Sequence, residues 1–435
     1  MELKVIGAGL AGCEAAWQAA EHGVKVRLYE MKPVRFSPAH HSRNFAELVC
    51  SNSLRADGIY NAVGLLKEEM RQLHSLIMEA ADATKVPAGG ALAVDREGFS
   101  AYITEKIKNH PNITVEEKEI TSLETDAWTV VAAGPLVSDA LAEEIQRLIG
   151  DCYLHFFDAA APIVSFESID MSKAFRAARY GKGGDDYINC PMNKEEYLAF
   201  YQALISAEGA PIHDGVEDPK VFEGCMPIEI MAKRGEDTMR FGPLKPVGLT
   251  NPHDESRPYA VVQLRQDNAA GSMYNLVGFQ THLKFPEQKR VFSMIPGLEN
   301  AEFVRYGVMH RNTYLNAPQL LNADYSMKQH PQITFAGQIT GVEGYVESAA
   351  SGLIAGLSVA AKMQGKEPRV FSAKTAIGAL GAYISNGAIT NFQPMNVNYG
   401  IMTSPEKRIR DKREKAEHIA NISMEEIQKY KEEIV

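Results

Sequence analysis

The stretch Leu3-Lys4-Val5-Ile6-Gly7-Ala8-Gly9-Leu10-Ala11-Gly12 decides the fold. Leu3 to Ile6 is a short apolar run, and the glycine-rich turn follows it without a spacer. Ala15-Ala16-Trp17 and Ala19-Ala20 then predict a small-residue helix ending near His22-Gly23. Val24 to Tyr29 alternates as a strand that Glu30 closes. The order strand, GxGxxG, helix, strand, acid is the dinucleotide-binding fingerprint. One glycine makes the tight turn, one lets the backbone approach a pyrophosphate, and one lets the helix pack on the strand. Gly7, Ala8, Gly9, Leu10, Ala11 and Gly12 are therefore candidate cofactor-binding residues. The helix start behind them offers free N–H groups and a positive dipole end. Glu30 lies about 20 residues on, where an acid accepts from a ribose hydroxyl.

A second turn of the same kind lies far down the chain. Ile333-Thr334-Phe335-Ala336-Gly337-Gln338 reads as a strand running into a glycine turn. A helix over Val342 to Gly356 follows, kept slim by Ala349, Ala350, Gly352, Ala355 and Gly356. Thr129 to Val131 and the Ala132-Ala133-Gly134-Pro135 turn predict another buried strand whose end approaches a cofactor. Two nucleotide-facing turns with a stretch of different character between them point to a flavoprotein rather than a simple dehydrogenase. The expected class is α/β: a Rossmann-like FAD-binding domain of the glutathione-reductase-like type, interrupted by a smaller α+β insertion domain. The FAD-binding parts are expected at 1–167 and 291–435, the second with a helical tail, and the insertion at 168–290. Spacing also predicts one helix from Asn61 to Ala80, through Leu66, Met70, Leu73, Ile77 and Ala80.

Composition bounds the rest. With 435 residues, 45% hydrophobic and 23% charged, the chain suits two or three globular units. A net charge of −10 argues against coating nucleic acid or anionic membrane by bulk charge and leaves room for a local basic face. Lys407 to Lys415 carries six basic and two acidic side chains, which suits a solvated helix face or a polyanion contact. No apolar run approaches the roughly 20 residues that span a bilayer. Met1 leads directly into the first strand, leaving no room for a signal peptide. A soluble cytoplasmic protein without a membrane partner is expected.

The five cysteines, at 13, 50, 152, 190 and 225, form no CxxC pair, and no metal site is expected. Cys13 falls inside the first helix, as a structural thiol does. Cys50 and Cys225 stand in polar, non-periodic segments, where a thiolate can be reactive. They are the candidate catalytic residues. The preceding His40 and His41 suit either a structural or a flavin-facing role.

These segments resemble one family. Gly7 to Gly12, Tyr29-Glu30-Met31, Pro38-Ala39-His40-His41, Leu48-Val49-Cys50-Ser51-Asn52-Ser53-Leu54-Arg55 and Asn61 to Lys67 carry the resemblance, as do Pro87 to Arg96, Gly224-Cys225-Met226-Pro227 and Phe335 to Gln338. The family is the folate- and FAD-dependent tRNA (uracil-5-)-methyltransferases, relatives of the glucose-inhibited division protein A family, which form ribothymidine in the T-loop of bacterial tRNA. The resemblance covers nearly the whole chain. It implies FAD as cofactor, 5,10-methylenetetrahydrofolate as carbon donor, NAD(P)H as the source of electrons, and the tRNA T-arm as partner. It also implies two working cysteines, one as nucleophile and one as general base. Cys225 is assigned the first role and Cys50 the second, an assignment that could be exchanged. Gly337 and Gln338 would face the flavin, with Gln338 where many flavoproteins carry Asp. Tyr180, Lys182, Tyr187, Arg234 and Arg240 are candidates for RNA contact. The competing readings are an enzyme modifying the wobble uridine and a small-molecule flavin oxidoreductase.

Overall fold

The computed structural model describes residues 1–150, 153–181, 184–210, 226–405 and 409–434. Cys152, Lys182 and Cys225 lie outside the described residues.

The fingerprint strand Glu2–Ile6 is the centre of a five-stranded sheet. Its order is Ile333–Phe335, Thr129–Val131, Glu2–Ile6, Lys25–Glu30, Ile113–Glu117, and every neighbouring pair is parallel. The sheet joins strands separated by some two hundred residues of sequence, so both glycine turns leave it at the same carboxyl edge. Ligands of open α/β sheets bind at that edge.

The fingerprint helix Leu10–Glu21 packs on the second-turn helix Tyr345–Met363 along a seam of small residues. A Cβ on Gly352 would come within 2.2 Å of the Ala11 carbonyl oxygen, and one on Gly356 within 2.5 Å of that of Ala15. The two glycines thus let both helix N-termini reach one place. Cys13 of the same helix is fully buried, with Sγ 3.3 Å from the Ala8 carbonyl oxygen, and burial pushes its thiol well up. It is structural.

A second sheet of six antiparallel strands runs in the order Phe175–Arg176, Tyr187–Met192, Ala260–Gln266, Met273–Leu276, Ile163–Ser165, Phe303–Arg305. Its core includes Val262, Leu264, Leu276, Phe279 and Phe292. This core starts before residue 168 and runs past 290, because the short strands at 163–165 and 303–305 complete the sheet. Tyr153–Ala159 and Met309–Leu315 pair as two antiparallel strands that lead into and out of it.

The single helix expected from Asn61 to Ala80 is two, Ala62–Gln72 and Leu76–Ala83. His74 adopts a left-handed φ of 55° between them. The buried Glu14 carboxylate accepts from Ser75 Oγ and the Ile77 N–H, at 2.7 and 3.0 Å. Ser75 Oγ in turn accepts from Met78 N. Capping from another helix breaks a pattern whose apolar spacing alone reads as continuous.

The terminal helix Lys412–Ile434 folds back on the first half of the chain. Glu69, fully buried, accepts from the Ala376 and Ile377 amides and from Ser423 Oγ of the terminal helix. Tyr430 stacks on Phe371 with ring centroids 3.9 Å apart.

Candidate active site

A cleft spanning about 1140 Å³, its open mouth included, lies at the carboxyl edge of the parallel sheet. Ile6 to Ala11, Glu30, the turn Ala132 to Ser138, Gly337, Gln338, Tyr345 and Ser348 line it. All the cofactor-binding candidates except Gly12 line this one cleft. Their glycines divide the work. Gly7, at φ 98°, lies so close to the neighbouring strand turn that a Cβ would meet the Ala132 oxygen at 2.6 Å. At Gly12 an added Cβ would sit 1.8 Å from the Gly7 oxygen, so this glycine serves helix packing and not a ligand. Gly9 has nothing within 4 Å of such a Cβ and leaves an open approach to the backbone.

The helices at Leu10 and Tyr345 begin at Gly9 and Gly344, neither with a side-chain cap. Their first N–H groups are left for a bound anion or flavin edge. Glu30 is buried; its carboxylate accepts from the Ala8 and Lys32 amides at 2.8 and 2.9 Å. Each carboxylate oxygen retains a lone pair for a further donor. Gln338 donates to Glu343 at 2.7 Å, which orients its side chain. His40 also lines the cleft, with Nδ1 2.5 Å from Ser37 Oγ. His41 is outside the lining; its amide donates to Glu47.

Cys50 stands beside this cleft, between the lining residue Val49 and the segment Ser51-Asn52. Its loop is held at almost every residue. Arg96 donates to the Leu48 carbonyl and forms a two-pronged ion pair with Asp267, at 3.1 and 2.9 Å. Arg305 donates to the Val49 carbonyl at 2.5 Å. The hydroxyl of Tyr345, from the first turn of the second-turn helix, accepts from the Cys50 and Ser51 amides at 2.7 and 3.3 Å. Arg265 donates to Ser51 Oγ at 2.6 Å and to Asn52 Oδ1 at 3.2 Å. Asn52 is fully buried and donates to the Val94 and Gln266 carbonyls, each at 2.9 Å. Residues from the second sheet and from the second-turn helix therefore clamp one cysteine loop. Cys50 Sγ itself lies 3.6 Å from the Ala159 carbonyl oxygen, where the paired entry strand begins its turn into the second sheet.

Arg96, Arg265 and Arg305 all lie within electrostatic reach of Cys50. Burial pulls the Arg265 and Arg305 guanidiniums down, and for Arg305 the nearby Arg96 adds to the effect. At Arg96 burial also acts downward, but the Asp267 carboxylate outweighs it and holds the group raised. Burial, and then the neighbouring Cys50, push the Tyr345 hydroxyl well up, so it stays protonated.

None of Arg96, Arg265, Arg305, Tyr345 or Asp267 was singled out by sequence reasoning. Their buried contacts cross the chain, and no local spacing marks them. Of the RNA-contact candidates, Tyr180 is exposed, whereas Tyr187 Oη donates to the Ala88 carbonyl at 3.0 Å. Arg240 is engaged inside the fold, with its guanidinium 3.5 Å from the Tyr259 ring centroid and ion-paired with Asp237. Among the described residues no cluster of metal-ligating side chains is present, and no helix is long and apolar enough to cross a membrane.

Known proteins account for this architecture. A family model described as glucose inhibited division protein A matches residues 2–367. A protein of Acetivibrio thermocellus named methylenetetrahydrofolate–tRNA-(uracil-5-)-methyltransferase TrmFO is 63% identical over 428 residues, covering 98% of both chains. One of the same name from Desulforamulus reducens is 60% identical over 431 residues, again covering 98% of both. Among solved structures, Aquifex aeolicus GidA superposes with a TM-score of 0.68 at 17% identity, over 98% of this chain and 73% of that one. With both glycine turns and the clamped cysteine loop inside the matched span, the chain belongs to the glucose inhibited division protein A family.

Proposed function

We propose that this chain is a methylenetetrahydrofolate-dependent tRNA (uracil-5-)-methyltransferase that works with FAD. On this reading it forms 5-methyluridine in the T-loop, draws electrons from NAD(P)H and acts in the cytoplasm. The observation that carries the proposal is a cysteine loop clamped beside a nucleotide-shaped cleft. The name borne by relatives 60% and 63% identical over nearly their full length supports it.

The cleft fits FAD. Gly7 to Ala11 and the uncapped helix start at Gly9 suit the pyrophosphate, and Glu30 has lone pairs for the ribose hydroxyls. Gly337, Gln338 and the helix start at Gly344 suit the far end of the cofactor. Bound there, FAD supplies two-electron reduction.

The chain's own chemistry begins at a thiolate. Uracil C5 is a weak nucleophile. Addition of the Cys225 thiolate to C6 moves the C5–C6 π electrons toward O4, and C5 can then take the one-carbon unit. Cys50, as base, removes the C5 proton. Loss of that proton releases the one-carbon unit from its carrier nitrogen as a methylene on C5, a hydride whose electrons come from NAD(P)H completes the methyl group, and the Cys225 thiolate leaves as the C5–C6 double bond re-forms. Arg96, Arg265 and Arg305 surround Cys50 with positive charge. The roles of the two cysteines could be exchanged with the same loop geometry. The target uridine has to leave the folded tRNA elbow to reach such a loop.

The test is mass spectrometry of nucleosides from tRNA that lacks the modification. Holoenzyme with methylenetetrahydrofolate and NAD(P)H is expected to yield 5-methyluridine, and S-adenosylmethionine alone to yield none. Product with S-adenosylmethionine alone, or none with the folate, would overturn the proposal.

A further inference from the structure

A second, open groove lies between the helix Ala62–Gln72 and the start of the terminal helix. Arg55, Tyr60, Asn61, Tyr399, Lys412 and Lys415 give it its polar character. No carboxylate lines it, in a chain whose net charge is −10. Among the described residues the ammonium groups of Lys412 and Lys415 take part in no ion pair or hydrogen bond. Arg413 lies 5.0 Å over the Tyr60 ring, which is 41% exposed.

These charges stand where a helix least tolerates them. Lys412, Arg413 and Lys415 occupy the first turn of the terminal helix, at the positive end of its dipole. The Asp411 carboxylate caps the Arg413 and Glu414 amides at 2.9 and 2.8 Å, so three cations stand against the two carboxylates of Asp411 and Glu414.

The groove is tied to the cysteine loop. Arg55 follows Cys50 by five residues, which an extended chain spans in at most about 18 Å. Its guanidinium pairs with Glu347, two residues beyond the Tyr345 that holds the Cys50 amide.

The geometry points to this groove as a docking surface for the RNA substrate, with Arg55, Lys412 and Lys415 on its phosphates and Tyr60 beside a base. The ammonium groups of Lys412 and Lys415, free of ion pairs among the described residues and set beside an exposed aromatic ring, have the chemistry that holds a polynucleotide strand. The groove lies outside the cofactor cleft, so it suits a long substrate that presents one nucleotide to the cysteine loop. This assignment rests on the tRNA reading proposed above.

Binding of unmodified tRNA to flavin-loaded protein, titrated against salt, tests it. The double variant Lys412→Glu/Lys415→Glu is expected to bind at least tenfold more weakly at low salt. The neutral pair Lys412→Gln/Lys415→Gln should flatten the slope of log affinity against log salt by about 1.4–1.8, as expected for two lost phosphate contacts. Flavin absorbance and folate affinity should match the unaltered protein in both. Unchanged RNA affinity and slope in the neutral pair would overturn the groove assignment while leaving the tRNA reading intact. A loss confined to folate affinity would also overturn it, by making the folate's glutamate tail the occupant. Unaltered protein that binds no tRNA would overturn the tRNA reading and this assignment with it.

Discussion

Replacing Tyr345 by Phe removes one oxygen atom and nothing else from the cysteine loop's support. That oxygen accepts from the Cys50 and Ser51 amides at 2.7 and 3.3 Å, and the half-buried tyrosine forms part of the cleft wall. Leaving a half-buried amide without its acceptor costs about 1 kcal/mol. Thermal unfolding should therefore shift down by a few degrees. The catalytic effect should be larger than that loss implies. A displacement of about 1 Å in a reacting group can cost on the order of 100-fold in rate. Tyr345→Phe is thus expected to lower kcat for 5-methyluridine formation by roughly 10- to 100-fold, with KM for tRNA and for the folate nearly unchanged. Both constants come from one steady-state assay with flavin occupancy checked by absorbance. A variant that melts earlier yet keeps full kcat would show that the loop does not aim a working thiol, and would refute the positioning argument.

Two further predictions concern the fold's supports. Burial holds the Glu69 carboxyl up at about 7, above its ordinary value of 4.5, so the folded protein keeps a proton that the unfolded chain loses. Stability from this group is complete below about pH 4.5 and declines as pH rises through 7, by roughly 2–3 kcal/mol between pH 5 and 8. Urea unfolding at those two pH values should show the decline, and Glu69→Gln should remove most of it; an equal decline in the variant would sink the assignment. The fingerprint glycines should separate cleanly. Gly12→Ala places its methyl 1.8 Å from a backbone oxygen and is expected to yield little folded protein, whereas Gly9→Ala should fold and lose flavin affinity. The opposite ranking, read by circular dichroism and flavin titration, would show that the glycine roles are misassigned.

Much of the parallel sheet was legible because its signals are local. Strand, GxGxxG, helix and Glu30 fall within thirty residues, and Gly337-Gln338 repeats the pattern. The break at His74 was not legible, since the groups that enforce it belong to Glu14 on another helix. The two three-residue strands that complete the second sheet carry too few residues to show alternation. Cys50 could be picked out as a thiol in a polar setting, but its clamp could not. Arg96, Arg265, Arg305 and Tyr345 come from four distant segments, and only the folded chain brings their charges and hydroxyl to one loop. The basic run at Lys407 to Lys415 was ambiguous for a related reason. Its opposing wall, Arg55 and Tyr60, lies some 350 residues earlier in the chain.

Trapping with tRNA that carries 5-fluorouridine in the T-loop addresses the central claim, that a thiol of this chain adds to a tRNA uracil. Fluorine at C5 leaves no proton for the base to remove, so the adduct should persist. Holoenzyme given this RNA and methylenetetrahydrofolate labelled in its one-carbon unit should form a covalent complex. Peptide mapping is expected to place the uracil on Cys225, with the labelled carbon at C5, and Cys225→Ala should abolish the complex. An adduct on Cys50 instead would exchange the two roles. Failure to form any covalent complex in protein that still makes 5-methyluridine from unmodified tRNA would contradict the account.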